Sequence, residues 1–143
     1  MSVPSAELVA DAIAVALTDD SGLGIAPTRT RFPKYAMSDL VNIKIDVIPE
    51  YPVSVDAHDR ASTATDIPIV VLVQQKCEKT DTVRVDQLSK LLEDISQWLA
   101  LSPIVGIGQP IEPVIIDRND ALLDQGQFIG ASLLVYRTYR ELQ

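Results

Sequence analysis

The long apolar stretch near the end of the chain, residues 127–139, constrains the fold more than any other. Its side chains alternate between two faces, as they do along a β-strand. One face carries Ile129, Ala131, Leu133 and Val135, and the other carries Phe128, Gly130, Ser132, Leu134 and Tyr136. Because both faces are largely apolar, we expect an interior strand that is covered on both sides. At ~3.3 Å per residue the stretch would span ~40 Å, and its charged end predicts that it leaves the core and reaches a neighbouring subunit.

The composition predicts one globular domain over residues 1–143 with an aliphatic core. Hydrophobic residues make up 47% of the chain, but aromatic residues only 5%. A net charge of −8 argues against general nucleic-acid binding, because phosphate contacts need cations. The lone Cys77 cannot form an internal disulfide, and the first residues lack the basic segment and apolar run of a secretory signal. We therefore expect a soluble intracellular protein without a membrane span.

Hydrophobic spacing predicts two amphipathic helices and several strands. The helices are predicted over 5–17, capped by Ser5, and over 83–101, capped by Asp81 or Thr82. Strands are predicted over 40–48, 67–75, 113–117 and 127–139, with a short strand at 52–55 and loop or arm insertions at about 22–37 and 49–66. This order predicts an α+β fold, a mainly antiparallel β-sheet with two α-helices packed on one face.

Individual residues within two of these strands predict how the strands are placed. In 40–48, Asn42, Lys44 and Asp46 share one face, which should meet water or a polar partner surface. In 67–75, Pro68 lacks the N–H that a ladder needs, so we expect it at the start of the strand or on a sheet edge.

The insertion at 22–37 concentrates positive charge in an otherwise acidic chain. Arg29, Arg31 and Lys34 alternate there with threonines and with the aromatic residues Phe32 and Tyr35. Two interpretations follow. The segment is either a solvated loop or short hairpin, or a basic arm that docks on an acidic neighbour.

The sequence carries no recognisable catalytic signature. His58 is the only histidine, and with Asp56 and Asp59 it could ligate a metal or act as a base with an orienting group. The simpler interpretation is a surface histidine in a polar loop, because no second histidine completes a usual metal set. The Gly-Ile-Gly at 106–108 lacks the third glycine and the preceding strand of a dinucleotide motif, so it predicts a turn. We expect no catalytic, cofactor or metal site.

Two patterns in the chain point to a known family. The second helix carries Val85-Asp86-Gln87-Leu88-Ser89-Lys90-Leu91-Leu92-Glu93-Asp94-Ile95, and the final strand carries Phe128-Ile129-Gly130-Ala131-Ser132-Leu133-Leu134-Val135-Tyr136-Arg137-Thr138-Tyr139. With the order of elements, they resemble the tail-terminator (tail-completion) proteins of tailed bacteriophages over nearly the whole chain. The resemblance implies a non-enzymatic virion protein, assembled in the host cytoplasm. It also implies a ring, usually a hexamer, that stacks on the head-proximal end of the tail tube, ends tube growth and joins the tail to the head connector.

A closed ring needs unlike patches on one subunit, and charge patterning suggests where they lie. The candidate interface residues are Arg29, Arg31, Lys34, Tyr35, Arg137, Tyr139 and Arg140, and the candidate lumen-facing acidic residues are Asp19, Asp20, Asp56 and Asp59. The implied partners are sister chains, the tail tube protein and the connector or head-closure protein. An acidic lumen repels phosphates, so DNA would pass without specific binding.

Two alternatives stay open from the sequence. The chain could be another neck or tail component, such as a head-closure or tail-tube protein. It could instead be a small α+β ligand- or metal-binding enzyme domain that uses His58 with Asp56 and Asp59.

Overall fold

Three helices and six strands make up the described part of the chain. The computed structural model describes residues 5–31, 33, 35–55, 62–111, 115–118 and 120–141. The helices are α1 (Ala6–Asp19), α2 (Thr82–Leu101) and α3 (Asp120–Asp124), and a 3-10 helix covers Met37–Val41. The strands are β1 (Thr28–Arg29), β2 (Lys44–Pro49), β3 (Val53–Val55), β4 (Ser62–Lys76), β5 (Ile115–Arg118) and β6 (Gln127–Glu141).

The sheet is built on the antiparallel pair β4 and β6. These strands stay in register from Ser62 opposite Glu141 to Lys76 opposite Gln127. β2 pairs with the free edge of β4, β5 pairs with the free edge of β6, and β1 lies parallel to β2 at the end of the sheet. β3 follows β2 along the same edge of β4 and is also antiparallel to it.

Helices α1 and α2 pack on one face of this sheet. The Ser5 side chain caps α1 by accepting a hydrogen bond from the Leu8 N–H at 3.2 Å, and Asp81 caps α2 by accepting one from the Arg84 N–H at 3.1 Å. The core joins Val9, Ile13 and Leu17 of α1 and Leu88, Leu92, Ile95 and Leu99 of α2 to Val47, Ile69, Val71, Phe128, Leu134 and Tyr136 of the sheet. The predicted α+β fold, with a mainly antiparallel sheet and two helices on one face, is confirmed.

The final strand β6 is interior to the sheet, as predicted, but the helices cover only one of its faces. The covered face carries the buried residues Phe128, Gly130, Ser132, Leu134 and Tyr136. The opposite face carries Ile129, Ala131, Leu133 and Val135, all of which are half-buried. The expectation that both faces are covered is therefore not met by α1 and α2, which pack on the same side.

The predicted boundaries of two strands are wrong at their first residues. Residues 62–66, predicted as loop within 49–66, belong to β4 because the last residues of β6 give them a hydrogen-bonding partner. Leu40 and Val41, predicted as strand, lie in the 3-10 helix, where Leu40 is buried. The predicted turn at 106–108 is confirmed by reciprocal backbone hydrogen bonds of 3.0 and 2.7 Å between Ile104 and Gly108.

Pro68 lies inside β4, not at its start or on an edge of the sheet. Its carbonyl accepts a hydrogen bond of 3.0 Å from the Glu50 N–H, on the side of β4 that faces β2 and β3. The nitrogen and carbonyl of one strand residue point to the same side. The missing N–H therefore faces the interval between Pro49, where β2 ends, and Val53, where β3 begins. No ladder hydrogen bond is lost there.

Replacing Gly130 with valine should destabilise the fold by about 1–3 kcal/mol, because an added side chain overpacks the core. A Cβ at this position would come within 2.8 Å of Cδ2 of Leu92 in α2. Urea denaturation measures the difference. The matched control is Ala131→Val on the opposite face of β6, which should change the free energy of unfolding by less than about 0.5 kcal/mol. Equal midpoints for Gly130→Val and the wild type would contradict the packing of α2 on β6.

Candidate interaction surfaces

The basic arm lies against helix α1 of its own chain. β1 runs along the edge of β2, and the Thr30 N–H donates to the Val47 carbonyl at 3.1 Å. This course places the Arg29 Nε 2.9 Å from the Asp11 Oδ1 and brings Arg31 into an ion pair with Glu7. The pattern of Arg29 and Arg31 was visible in the sequence, but their partners on α1 were not. Lys34, the third residue of the predicted arm, lies outside the described residues.

Tyr35 and Asp46 form a buried polar pair on the face of the sheet opposite the helices. The Tyr35 hydroxyl donates to the Asp46 Oδ1 at 2.7 Å, and the Asp46 side chain is 0% exposed. This face of β2 is predicted to meet water or a polar partner surface. Asp46 does not meet water, because the polar Tyr35 hydroxyl of the same chain covers it. Lys44 stays on the same face, with its Nζ 5.7 Å from the centroid of the Tyr35 ring.

This pair has shifted pKa values with a common cause. Burial raises the pKa of the Asp46 carboxyl, and the hydrogen bond from Tyr35 only partly offsets that shift. Burial, followed by the interaction with Asp46, raises the pKa of Tyr35 to about 12. Within the described part of the chain, the Asp46 Oδ2 has no hydrogen-bonding partner. Tyr35, predicted as an interface residue, is therefore used to hold the arm on its own sheet.

Arg137 forms a bidentate ion pair with Asp66, its cross-strand neighbour. The Nε and Nη2 atoms of Arg137 lie 2.6 and 2.9 Å from the two carboxylate oxygens of Asp66. Two parallel N–H···O bonds of this kind fix geometry as well as charge. The other two interface candidates on this strand, Tyr139 and Arg140, lie further along β6, opposite Ala64 and Thr63.

The acidic candidates fall into two groups. Asp19 and Asp20 are exposed at the C-terminal end of α1. Asp56, His58 and Asp59 lie outside the described residues, so a metal site formed by these three residues stays a prediction. Among the residues that the structure does describe, no group of three or more side chains could hold a metal ion.

An aliphatic surface, which the sequence analysis did not single out, lies on the sheet opposite α1 and α2. We call it the open face, and its residues are Val70, Leu72, Ile129, Ala131, Leu133 and Val135. All six are half-buried. The signal for it was the apolar character of both faces of β6. Apolar side chains that lie together and keep partial exposure to solvent are consistent with a protein–protein contact surface.

Comparisons with known proteins provide no function for this chain. No protein-family model matches the chain, and no match to it is found among curated proteins. In the ranges described above, no helix is both long enough and apolar enough to span a membrane.

Replacing Tyr35 with phenylalanine should destabilise the protein by about 1–3 kcal/mol at neutral pH, because it leaves the buried carboxylate of Asp46 without its hydrogen bond. The effect should shrink as the pH falls. A carboxyl with a raised folded-state pKa contributes full stability below its ordinary pKa of 3.8 and loses it as the pH rises through the folded value. Urea denaturation between about pH 4 and about pH 7 measures the trend.

The control for this variant is Tyr51→Phe, because the Tyr51 side chain is exposed. Its free energy of unfolding should follow that of the wild type at every pH. If the loss in free energy of unfolding of the Tyr35→Phe variant is independent of pH, Tyr35 does not stabilise the protein through Asp46.

Proposed function

We propose that this chain is a structural virion protein, the tail terminator of a tailed bacteriophage. Copies of the chain would form a ring, hexameric as the family resemblance implies, at the head-proximal end of the tail tube. The ring ends tube polymerisation and joins the tail to the head connector in the neck of the virion. In this role the chain works through its surfaces and carries out no chemistry.

The observation that carries the proposal is the open face of the sheet. An acidic chain of this size has many charged residues to place on its surface, yet this face displays aliphatic side chains from both central strands. Covering such a face removes apolar area from water, at roughly 25 cal/mol per Å². A second protein surface that covers it, as in a ring of subunits, accounts for the pattern.

The extended end of the β4–β6 ladder supplies a second, unlike surface. β2 pairs with β4 only from Ile69 onward, and β5 pairs with β6 only as far as Leu133. Beyond those points the ladder continues to Ser62 and Glu141, with β3 paired to β4 and the Ile111 N–H donating to the Val135 carbonyl of β6 at 2.8 Å. A heterologous contact joins two different patches and can close into a ring. The open face and the extended ladder are two such patches on one subunit.

The charged candidates take more specific roles in this proposal. Arg29 and Arg31 hold the arm on α1, and Arg137 fixes the start of the extended ladder. Asp19 and Asp20 place exposed negative charge at one end of α1. Negative charge beside a conduit disfavours binding of DNA phosphates, which suits passage of the genome.

Replacing Leu133 with glutamate should prevent ring formation, because it places a charge in the centre of the open face. The purified variant and the wild type would be mixed with tail tubes built from the tube protein of the same phage. Mass photometry and negative-stain imaging then count rings and capped tubes. We expect wild-type rings on tube ends and at least a tenfold loss with Leu133→Glu, the equivalent of about 1.4 kcal/mol per contact.

The matched control is Leu101→Glu, the same change at an exposed leucine at the end of α2. It should cap tubes as the wild type does, and circular dichroism should find both variants folded. If a folded Leu133→Glu protein caps tubes normally, the open face is not a contact in the assembly. A wild-type chain that stays monomeric and leaves tubes uncapped would contradict the function.

A further inference from the structure

An open cavity of about 400 Å³ lies on the helical side of the molecule, away from the open face of the sheet. One wall is the outward side of α1, and the other is formed by the end of α2 and the turn that follows it. Its lining residues are Asp11, Ala12, Val15, Ala16, Asp20, Trp98, Pro103, Ile104 and Val105. Most of these side chains are apolar, although the cavity opens to solvent.

Two valines make this cavity unusual. Val105 is 100% exposed and Val15 is 58% exposed, although both are aliphatic. Val105 is held at the tip of a tight turn that is closed by hydrogen bonds between Ile104 and Gly108, with Gly106 at φ 82°. The fixed turn presents an apolar side chain to water without burying it in this chain. Exposed aliphatic side chains at the rim of a cavity are typical of a contact site.

The electrostatics of the cavity favour a cation. The C-terminal ends of α1 and α2 both lie at or beside it, and neither helix has a basic residue in its last turn. Helix C-termini carry a partial negative charge, which a nearby cation stabilises. Asp20 adds a carboxylate to the lining, and Asp19 precedes it.

A second copy of the chain is poorly suited to supply that cation. Its net charge is −8, and five of its described basic residues pair with carboxylates of the same chain. These residues are Arg29, Arg31, Lys79, Lys90 and Arg137. A partner protein with a basic surface is therefore better suited to supply the cation than a second copy of this acidic chain.

We propose that this cavity binds a segment of a partner protein in which an aliphatic side chain stands next to lysine or arginine. The aliphatic side chain enters between Val15 and Val105, above Trp98. The basic side chain reaches Asp20 and the end of α1. This site is separate from the open face, so the inference does not depend on ring formation.

The chain contains its own reporter for this site, because Trp98 is its only tryptophan and lines the cavity. The probe is a short, capped peptide of alternating leucine and arginine, titrated into the wild-type protein while Trp98 fluorescence is recorded. We expect a saturable change in emission that weakens with added salt. A leucine–glutamate peptide and a serine–arginine peptide should each bind at least tenfold more weakly.

Matched variants separate the apolar and charged contributions. Val105→Ser should weaken binding of the leucine–arginine peptide about fivefold to tenfold, because it removes an apolar contact. Asp20→Asn should weaken binding of the same peptide about twofold to fivefold. Val83→Ser, at an exposed valine near the start of α2, should leave binding unchanged. Because Val105 is fully exposed, its replacement leaves the core intact.

Three results would overturn the inference. The first is equal binding of the arginine and glutamate peptides, and the second is equal binding by the wild type and Val105→Ser. The third is a change in Trp98 emission with protein concentration alone and none with the peptide, which would make a second copy the occupant.

Discussion

The ladder between β4 and β6 is the interaction on which the rest of the structure depends. It pairs two strands, from Ser62 with Glu141 to Lys76 with Gln127, that are separated in sequence by α2 and β5. Such non-local pairing requires the closure of a long loop before its hydrogen bonds form. Once formed, it provides both edges to which β2, β3 and β5 add and the surface on which α1 and α2 pack. The arm and the cavity take their positions from those later elements.

The two faces of this ladder are packed differently. On the helical side, close packing extends to Gly130, where even one added carbon would meet Leu92 of α2. On the other side, the aliphatic residues of the open face are half-buried and do not pack against α1 or α2, and the Tyr35 hydroxyl contacts Asp46 at the β2 end. A monomer gains little from aliphatic side chains on an open sheet. An assembly that covers them gains the free energy of their burial, which links this asymmetry to the proposed ring.

Local patterns were sufficient to predict α1, α2, the interior position of β6 and the class of fold. They failed where a distant residue decides the outcome. The alternation of β2 placed Asp46 towards water, but the hydroxyl of Tyr35 covers it. Residues 62–66 are small and polar, which suggested a loop, yet they pair with the end of β6 and belong to β4. The intramolecular partners of Arg29 and Arg31 on α1 are likewise a product of tertiary structure. Charge in a sequence indicates that a partner exists, but not which chain supplies it.

The proposed ring requires another copy of the chain to complete the open face of the sheet. Cryo-electron microscopy of the wild-type protein assembled on tail tubes tests it most directly. We expect a closed ring on the tube end, in which Leu133 and Val70, cross-strand neighbours on the open face, contact the adjacent subunit. A ring in which this face lies open to solvent would contradict the proposed subunit contact. Tubes that carry no ring would contradict the proposed function.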